Sequence, residues 1–106
     1  MTGTTLTDGS PVPEDGSHTR LKMDGQQEGY VVLSKEERAK GFVRPVRRTY
    51  IHEKCGSKST MGESLAETYA RQPDFYSGTY CCACSLHFPV GADGEFVWED
   101  GSKVGT

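Results

Sequence analysis

The sequence predicts a small α+β domain: one helix between two turns rich in soft ligands, then a β-hairpin sheet, with an unstructured arm in front. Three observations lead there. "YIHEKCGSKST" (50–60) sets a histidine and a cysteine three apart, and "TYCCACSLHFPV" (79–90) holds three cysteines and a histidine. Between them "TMGESLAETYARQP" has helical periodicity. After them "FPVGADGEFVWEDGSKV" alternates β-formers with glycine-rich turns.

The bulk properties agree with a single small unit. The chain has 106 residues, 34% of them hydrophobic, and a mean hydropathy of -0.61. A core that thin usually needs a disulfide, a metal or a partner to hold it. Net charge is -3, which gives no global attraction to nucleic acid or anionic lipid. No apolar run is long enough to span a membrane. "MTGTTLTDGSPVPEDG" lacks the basic and apolar regions of a secretory signal, so a cytoplasmic setting is expected. In a reducing compartment, clustered cysteines favour metal or redox chemistry over structural disulfides.

Residues 1–29 hold five Gly, two Pro and five Thr with few apolar side chains. That composition cannot repay ordering entropy and predicts a disordered, mildly acidic arm, with a domain over 30–106. Tyr30 to Leu33 is a short β-rich run. Ser34 and Glu37 have capping-box spacing and Gly41 stands where a helix-ending glycine belongs, predicting a short helix at about 35–40, with Leu33 and Phe42 packing on each other across it. In "FVRPVRRTYIH" Pro45 confines any strand to an edge or to the residues after it. Alternation from Val46 sets Val46, Arg48, Tyr50 and His52 on one face and Arg47, Thr49 and Ile51 on the other.

The main helix is predicted at about 61–71. Thr60 and Glu63 have capping-box spacing, Met61, Leu65 and Tyr69 form one stripe, Glu67 and Arg71 are spaced as an ion pair, and Pro73 stops the helix. Beyond a turn at Ser77-Gly78, a short strand leads into the cysteines. Turns at 91–94 and 100–102 imply one or two hairpins, and Phe96 and Trp98, on one face of the last strand, are the expected core anchors.

The ligand spacing carries the chemistry. His52 with Cys55, and Cys81 with Cys84, are each i, i+3, and twenty-five residues separate Cys55 from Cys81. Two such pairs are what a tetrahedral zinc ion requires, because a tight turn brings both ligand atoms of a pair to one side. Gly56, just past Cys55, supplies the positive φ that such turns often need. The pattern H-x-x-C-G…C-x-x-C is that of a zinc-ribbon-like domain holding one structural Zn2+. Cys82 falls between ligands and should point away from the ion. His87, three past Cys84, is an alternative ligand in place of His52.

Two other chemistries fit less well. A thioredoxin-like C-x-x-C opens a helix after a strand, whereas Cys81–Cys84 is surrounded by β-rich sequence. Nucleobase deaminases combine H-x-E with P-C-x-x-C, but here Lys54 stands in the glutamate position, no proline precedes Cys81, and Cys55 can close the fourth coordination position. No catalytic residue is therefore assigned, and an enzyme is not expected.

Six basic residues lie between 40 and 58, opposed there only by Glu53. Arg44, Arg47, Arg48, Lys54 and Lys58 are the candidates for contact with a partner or with nucleic acid. The acidic chain, with its isoelectric point near 5.6, predicts that any nucleic-acid binding is weak and electrostatic.

The run from Cys55 to Trp98, which includes "MGESLAETYARQPDFYSGTYCCACSLHFPV" and "EFVW", resembles small proteins encoded in bacteriophage and prophage genomes, mostly of unknown function. Those carry the pattern MG…LAETYAR.P.FY…FC..C..H.PV.EF.W, with "ADG" interrupting it here after Gly91. The resemblance covers about residues 30–106. Cys81 and Cys84 match its C-x-x-C, and Cys82 falls on a variable position. It implies zinc binding and a phage origin and supplies no substrate. The function expected from these readings is a non-enzymatic, zinc-stabilised, monomeric interaction module that binds a host protein. A nucleic-acid-binding zinc ribbon using the basic 44–58 strand is the alternative, and a deaminase-like zinc enzyme comes third.

Overall fold

The computed structural model describes residues 3–106. Seven short strands run in chain order: β1 (Thr4–Leu6), β2 (Val31–Leu33), β3 (Thr49–His52), β4 (Lys58–Thr60), β5 (Gly78–Cys81), β6 (Leu86–Pro89) and β7 (Phe96–Trp98). Helix α1 (Lys35–Arg38) follows β2 and helix α2 (Glu63–Arg71) follows β4. All the strand pairs are antiparallel and make three small sheets: β1-β2, β4-β3-β7 and β5-β6.

The middle sheet and α2 enclose the core. Along β3 the alternation expected from the sequence buries Tyr50 and His52 and leaves Thr49 and Ile51 half-exposed. Opposite them on β7 are Trp98 and Phe96, the two largest fully buried side chains. Tyr50 meets Phe96 and Trp98 edge-on, with ring centroids 5.4 and 6.3 Å apart. From α2, Tyr69 meets Trp98 in the same way at 5.5 Å. Met61, Ala66, Cys81 and Val104 complete the cluster.

The helix ends show which local signals survive in the fold. The Ser34 hydroxyl accepts from the Glu37 N–H at 3.3 Å, as the capping box requires, and Gly41 has a φ of 113°. The second capping box does not form. Thr60 is drawn into β4, where its hydroxyl meets that of Thr49 at 3.1 Å, and Gly62 caps α2 with no side-chain hydrogen bond. Glu67 pairs with Arg38 at 2.5 Å rather than with Arg71, which reaches the Gly41 carbonyl. Leu33 is buried while Phe42 lies exposed, so α1 is not bracketed by the two. The expected hairpin around 100–102 forms as a short one, with Val97 bridging Lys103 antiparallel, while β6 pairs with β5 across the ligand-bearing turn and β7 also pairs with β3. The chain still reverses at both expected turns, through Gly94 N–H to Gly91 O and Gly101 N–H to Trp98 O, each at 2.9 Å.

Where composition predicts an unstructured arm over 1–29, the described part has local order; residues 1 and 2 lie outside the described residues. β1 pairs with β2 from Thr4↔Leu33 to Leu6↔Val31, a 3-10 turn spans Ser17–Thr19, and Leu21 bridges Gln27. None of residues 3–29 is buried. Its order rests on backbone pairing and turn hydrogen bonds, which an argument from apolar content does not see.

Trp98 is closed on its outer side by Arg47, whose guanidinium sits 4.9 Å from the ring centroid. Asp100 holds that guanidinium at 3.2 Å. Hydrogen bonds from Ser102, with a smaller contribution from Arg47, lower the Asp100 carboxyl from 3.8 to about 2. A carboxyl depressed in the folded state contributes stability above its unfolded value, and that contribution fades as pH falls toward the folded value. Thermal stability should therefore decline between about pH 4 and 2, and Asp100→Asn should flatten that part of the profile. A profile unchanged by the substitution would detach Asp100 from the Arg47–Trp98 clamp.

Candidate metal centre

Two turns of matching construction face each other. The first leaves β3: the Cys55 and Gly56 N–H groups return to the His52 carbonyl at 3.2 and 2.7 Å. The second joins β5 to β6, with the Ser85 N–H returning to the Cys81 carbonyl at 2.9 Å. The residue after the second ligand of each turn is left-handed: Gly56 at φ 74° and Ser85 at φ 56°. Gly56 takes this conformation without cost, as the sequence predicts, whereas Ser85 takes it against the ordinary preference of a side chain.

These turns bring His52, Cys55, Cys81 and Cys84 together, with one potential ligand atom from each lying within 4.8 Å of all the others. The His52 Nδ1 is 3.2 Å from the Cys55 Sγ and 3.7 Å from the Cys84 Sγ, and the Cys55 and Cys81 sulfurs are 3.6 Å apart. Around a tetrahedral zinc ion, bond lengths of about 2.3 Å to sulfur and about 2.0 Å to nitrogen put neighbouring ligand atoms about 3.5–3.8 Å apart. Two of these three separations fall in that range and the third is shorter, and the cluster could hold a metal ion. Cys81 and His52 are its buried side, at 0% and 2% exposure, and Cys55 is its open side.

The thiols are electrostatically unequal. Hydrogen bonding from the Ser57 backbone, with Cys81 and His52 adding to it, lowers Cys55 to about 6. Burial, followed by the neighbouring Cys81 and Cys55, raises Cys84 to about 11. A divalent cation at the centre of the cluster would favour the Cys84 thiolate that burial and its neighbours oppose.

His52 is held from three directions. Its ring stacks on Phe88 at 4.4 Å and 25°, and Phe96 covers the ring at 4.9 Å. Its Nε2 lies 2.8 Å from the Glu95 Oε1. Burial opposes the charged imidazole, but the hydrogen bonds to Glu95 and Cys55 outweigh it and raise the His52 pKa. With Nε2–H donating to Glu95, Nδ1 keeps its lone pair toward the sulfurs, the usual arrangement of a carboxylate behind a metal-binding histidine. The Glu95 backbone joins the surrounding segments as well, accepting from Glu53 N–H and donating to Pro89 O, both at 2.9 Å. Lys54 approaches the other carboxylate oxygen at 3.5 Å. Sequence reasoning missed Glu95 because it stands 43 residues from His52 and belongs to no ligand motif.

The remaining candidates lie elsewhere. His87, the alternative ligand, is on β6 with Nε2 2.7 Å from the Tyr30 hydroxyl, and it is not in the cluster. Cys82 turns to Ser59, whose hydroxyl is 3.2 Å from its sulfur, and to the Lys58 carbonyl at 3.4 Å. Metal stoichiometry by elemental analysis should therefore survive Cys82→Ser and His87→Ala and be lost in Cys81→Ser and His52→Ala; the reverse pattern would put the register wrong. Glu53, beside the position where a deaminase would need its glutamate, pairs with Lys103.

The basic residues do not form a free row. Arg47 is committed to Trp98 and Asp100, and the Arg48 Nε donates to the Met61 carbonyl at 3.0 Å. Lys58 reaches Glu99 at 3.5 Å, Lys54 reaches Glu95, and Arg44 donates to Thr106 O at 3.3 Å.

No protein-family model, no curated protein and no solved structure matches this chain. What the fold and the site define is a small α+β domain with antiparallel sheets and a Cys3His cluster able to hold a metal ion. Among the described residues no helix is long and apolar enough to cross a membrane.

Proposed function

We propose that this protein is a non-enzymatic interaction module stabilised by one structural zinc ion, of the zinc-ribbon kind, phage-encoded and directed at a host protein. The supporting observation is the set of four candidate ligands: three thiols and one imidazole converge within 4.8 Å of one another. Three sulfurs with one nitrogen suit zinc among the common cellular metals, and four protein ligands leave no position for an activated water. That argues for holding a fold rather than for running a reaction.

The candidate docking face is the segment 41–46, six consecutive exposed residues. Phe42, Val43 and Val46 are exposed to 45%, 58% and 41%, and Arg44 stands among them. The segment is not adrift, since the N–H groups of Val43 and Arg44 both donate to the Ala70 carbonyl at the end of α2, at 2.9 and 3.1 Å. A fixed apolar strip with one cation fits a partner that presents an apolar groove with a carboxylate at its edge. The nucleic-acid reading loses support because the arginines it needs are engaged within the domain.

The test is capture from host lysate with and without nuclease, using the native chain and the double change Phe42→Ser, Val43→Ser. One protein species lost with the double change, retained after nuclease and accompanied by unchanged zinc content supports this reading. Capture abolished by nuclease would put nucleic acid in the partner's place, and capture indifferent to the double change would remove the docking face.

A further inference from the structure

The four candidate ligands differ sharply in their access to solvent. Cys55 belongs to a run of exposed residues, 53–56, and a Cβ on the neighbouring Gly56 would meet nothing within 4 Å. Cys81 is fully buried and Cys84 half-buried, while His52 is buried against Phe88 and Phe96. A reagent arriving from solution therefore meets the Cys55 sulfur before the others. Behind that sulfur, 3.6 Å away, is the sulfur of Cys81.

The fourth thiol is exposed too, but it is turned elsewhere. The Cys82 sulfur accepts from the Ser59 hydroxyl and donates to the Lys58 carbonyl, and it stands outside the cluster. Only a thiol inside the cluster would be held as thiolate by a bound cation. Reactivity toward peroxides follows thiolate character and exposure together. Cys55 combines the two, whereas Cys82 has the exposure alone and Cys81 has the cluster without the exposure.

We infer that Cys55 is a modification site for hydrogen peroxide, resolved by Cys81 into a disulfide with release of the metal; this rests on the zinc reading above. The Cys55 thiolate attacks one oxygen of the peroxide, the O–O bond breaks, and hydroxide leaves, so that Cys55 becomes a sulfenic acid. The Cys81 thiolate then attacks the Cys55 sulfur, the S–S bond forms, and the sulfenic hydroxyl leaves as a second hydroxide. Two thiolates have supplied the two electrons that reduce the peroxide, two protons from solvent convert both hydroxides to water, and no redox change falls on zinc. His52 and Cys84 alone are then too few to retain a structural ion, which takes four ligands. The new bond joins the same two turns that the ion joined, with α2 in the loop between them.

The test uses zinc-loaded full-length protein purified under reducing conditions. Its zinc content is measured, the reductant is removed, and hydrogen peroxide is added in the presence of a chromophoric zinc reporter. Release of the bound zinc is expected, together with an intact mass lower than that of the reduced chain by a pair of hydrogens. After alkylation of the remaining thiols and digestion with trypsin, the peptide 55–58 should be joined to the peptide 72–103, with Cys82 and Cys84 alkylated. Dithiothreitol and added zinc should restore the loaded protein. Cys82→Ser should release zinc at the native rate. Cys55→His keeps a ligand atom at the exposed position and should release zinc about tenfold more slowly or less readily still. Zinc retained by the native chain in excess peroxide, release with a Cys81–Cys84 bond or a bond to Cys82, or an unchanged rate in Cys55→His overturns the proposal. A chain that holds no zinc before peroxide is added contradicts the metal reading instead, and mapping its first disulfide still tests the pairing of Cys55 with Cys81.

Discussion

Removing a zinc ion from the Cys3His cluster should unfold the protein. With a strong chelator under reducing conditions, the dispersed amide spectrum should collapse to random-coil shifts, and Cys81→Ser should give the same result. A structural zinc ion contributes about 10–16 kcal/mol of apparent binding free energy in small finger peptides. Whole domains are stable by only about 5–15 kcal/mol. The core offers little to replace it. Among the described residues eleven hydrophobic ones are buried, two of them alanines and one Cys81 of the cluster itself. The Cys55 and Cys81 sulfurs, 3.6 Å apart, would also be left facing each other without a cation between them. Acid should do the same work as the chelator, since protonated ligands release the metal, so loss of metal and loss of structure should coincide in an acid titration. A chelated protein that keeps its native spectrum would show that the aromatic cluster around Trp98 folds the chain alone.

Loss of the Glu95 carboxylate should weaken metal binding at the cluster without removing one of its four candidate ligands. Partners behind a metal-bound histidine are typically worth about 10–100-fold in affinity. Glu95→Ala should therefore lower affinity by that factor in competition against a chromophoric chelator. Glu95→Gln keeps an oxygen that can accept from Nε2–H and should recover part of the loss. A carboxylate that holds the Nε2 proton of the metal-bound imidazole also shields it, so that proton should exchange with water faster in metal-loaded Glu95→Ala than in the metal-loaded native chain. Affinity unchanged in Glu95→Ala would mean that stacking by Phe88 and Phe96 suffices to hold the ring.

The clustering of His52, Cys55, Cys81 and Cys84 was legible because the turns that make it are local. An i, i+3 pair with a glycine behind it makes a turn whatever the rest of the chain does, and both turns are where the spacing puts them. Ser34 and the Tyr50/His52 alternation were legible for the same reason. What went unread is pairing between distant segments. Thr60 has an ideal partner in Glu63 three residues on, but strand pairing with Thr49 takes it first. Glu67 could reach Arg71 on its own helix, yet Arg38 offers a half-buried guanidinium. β1 carries nothing that separates it from its loop-like surroundings until β2 is laid beside it. Val104 and Thr68 are fully buried although neither belongs to a hydrophobic stripe: Val104 comes in behind the last turn, and the Thr68 hydroxyl accepts from the Leu33 N–H at 3.1 Å.

The pairing of β3 with β7 sets the order in which the chain can assemble. Ile51 must find Val97, and nearly half the chain intervenes. Such closure costs entropy before it returns any contact, and it slows folding. A cation caught between the two ligand turns closes a shorter loop first, with α2 inside it, and leaves β7 only a brief search. Refolding speed should then rise with free metal until capture is no longer limiting. The same route has one built-in trap: in the open chain Cys82, next to Cys81, competes for the ion, and a complex formed through it has to be exchanged before β5 can pair with β6.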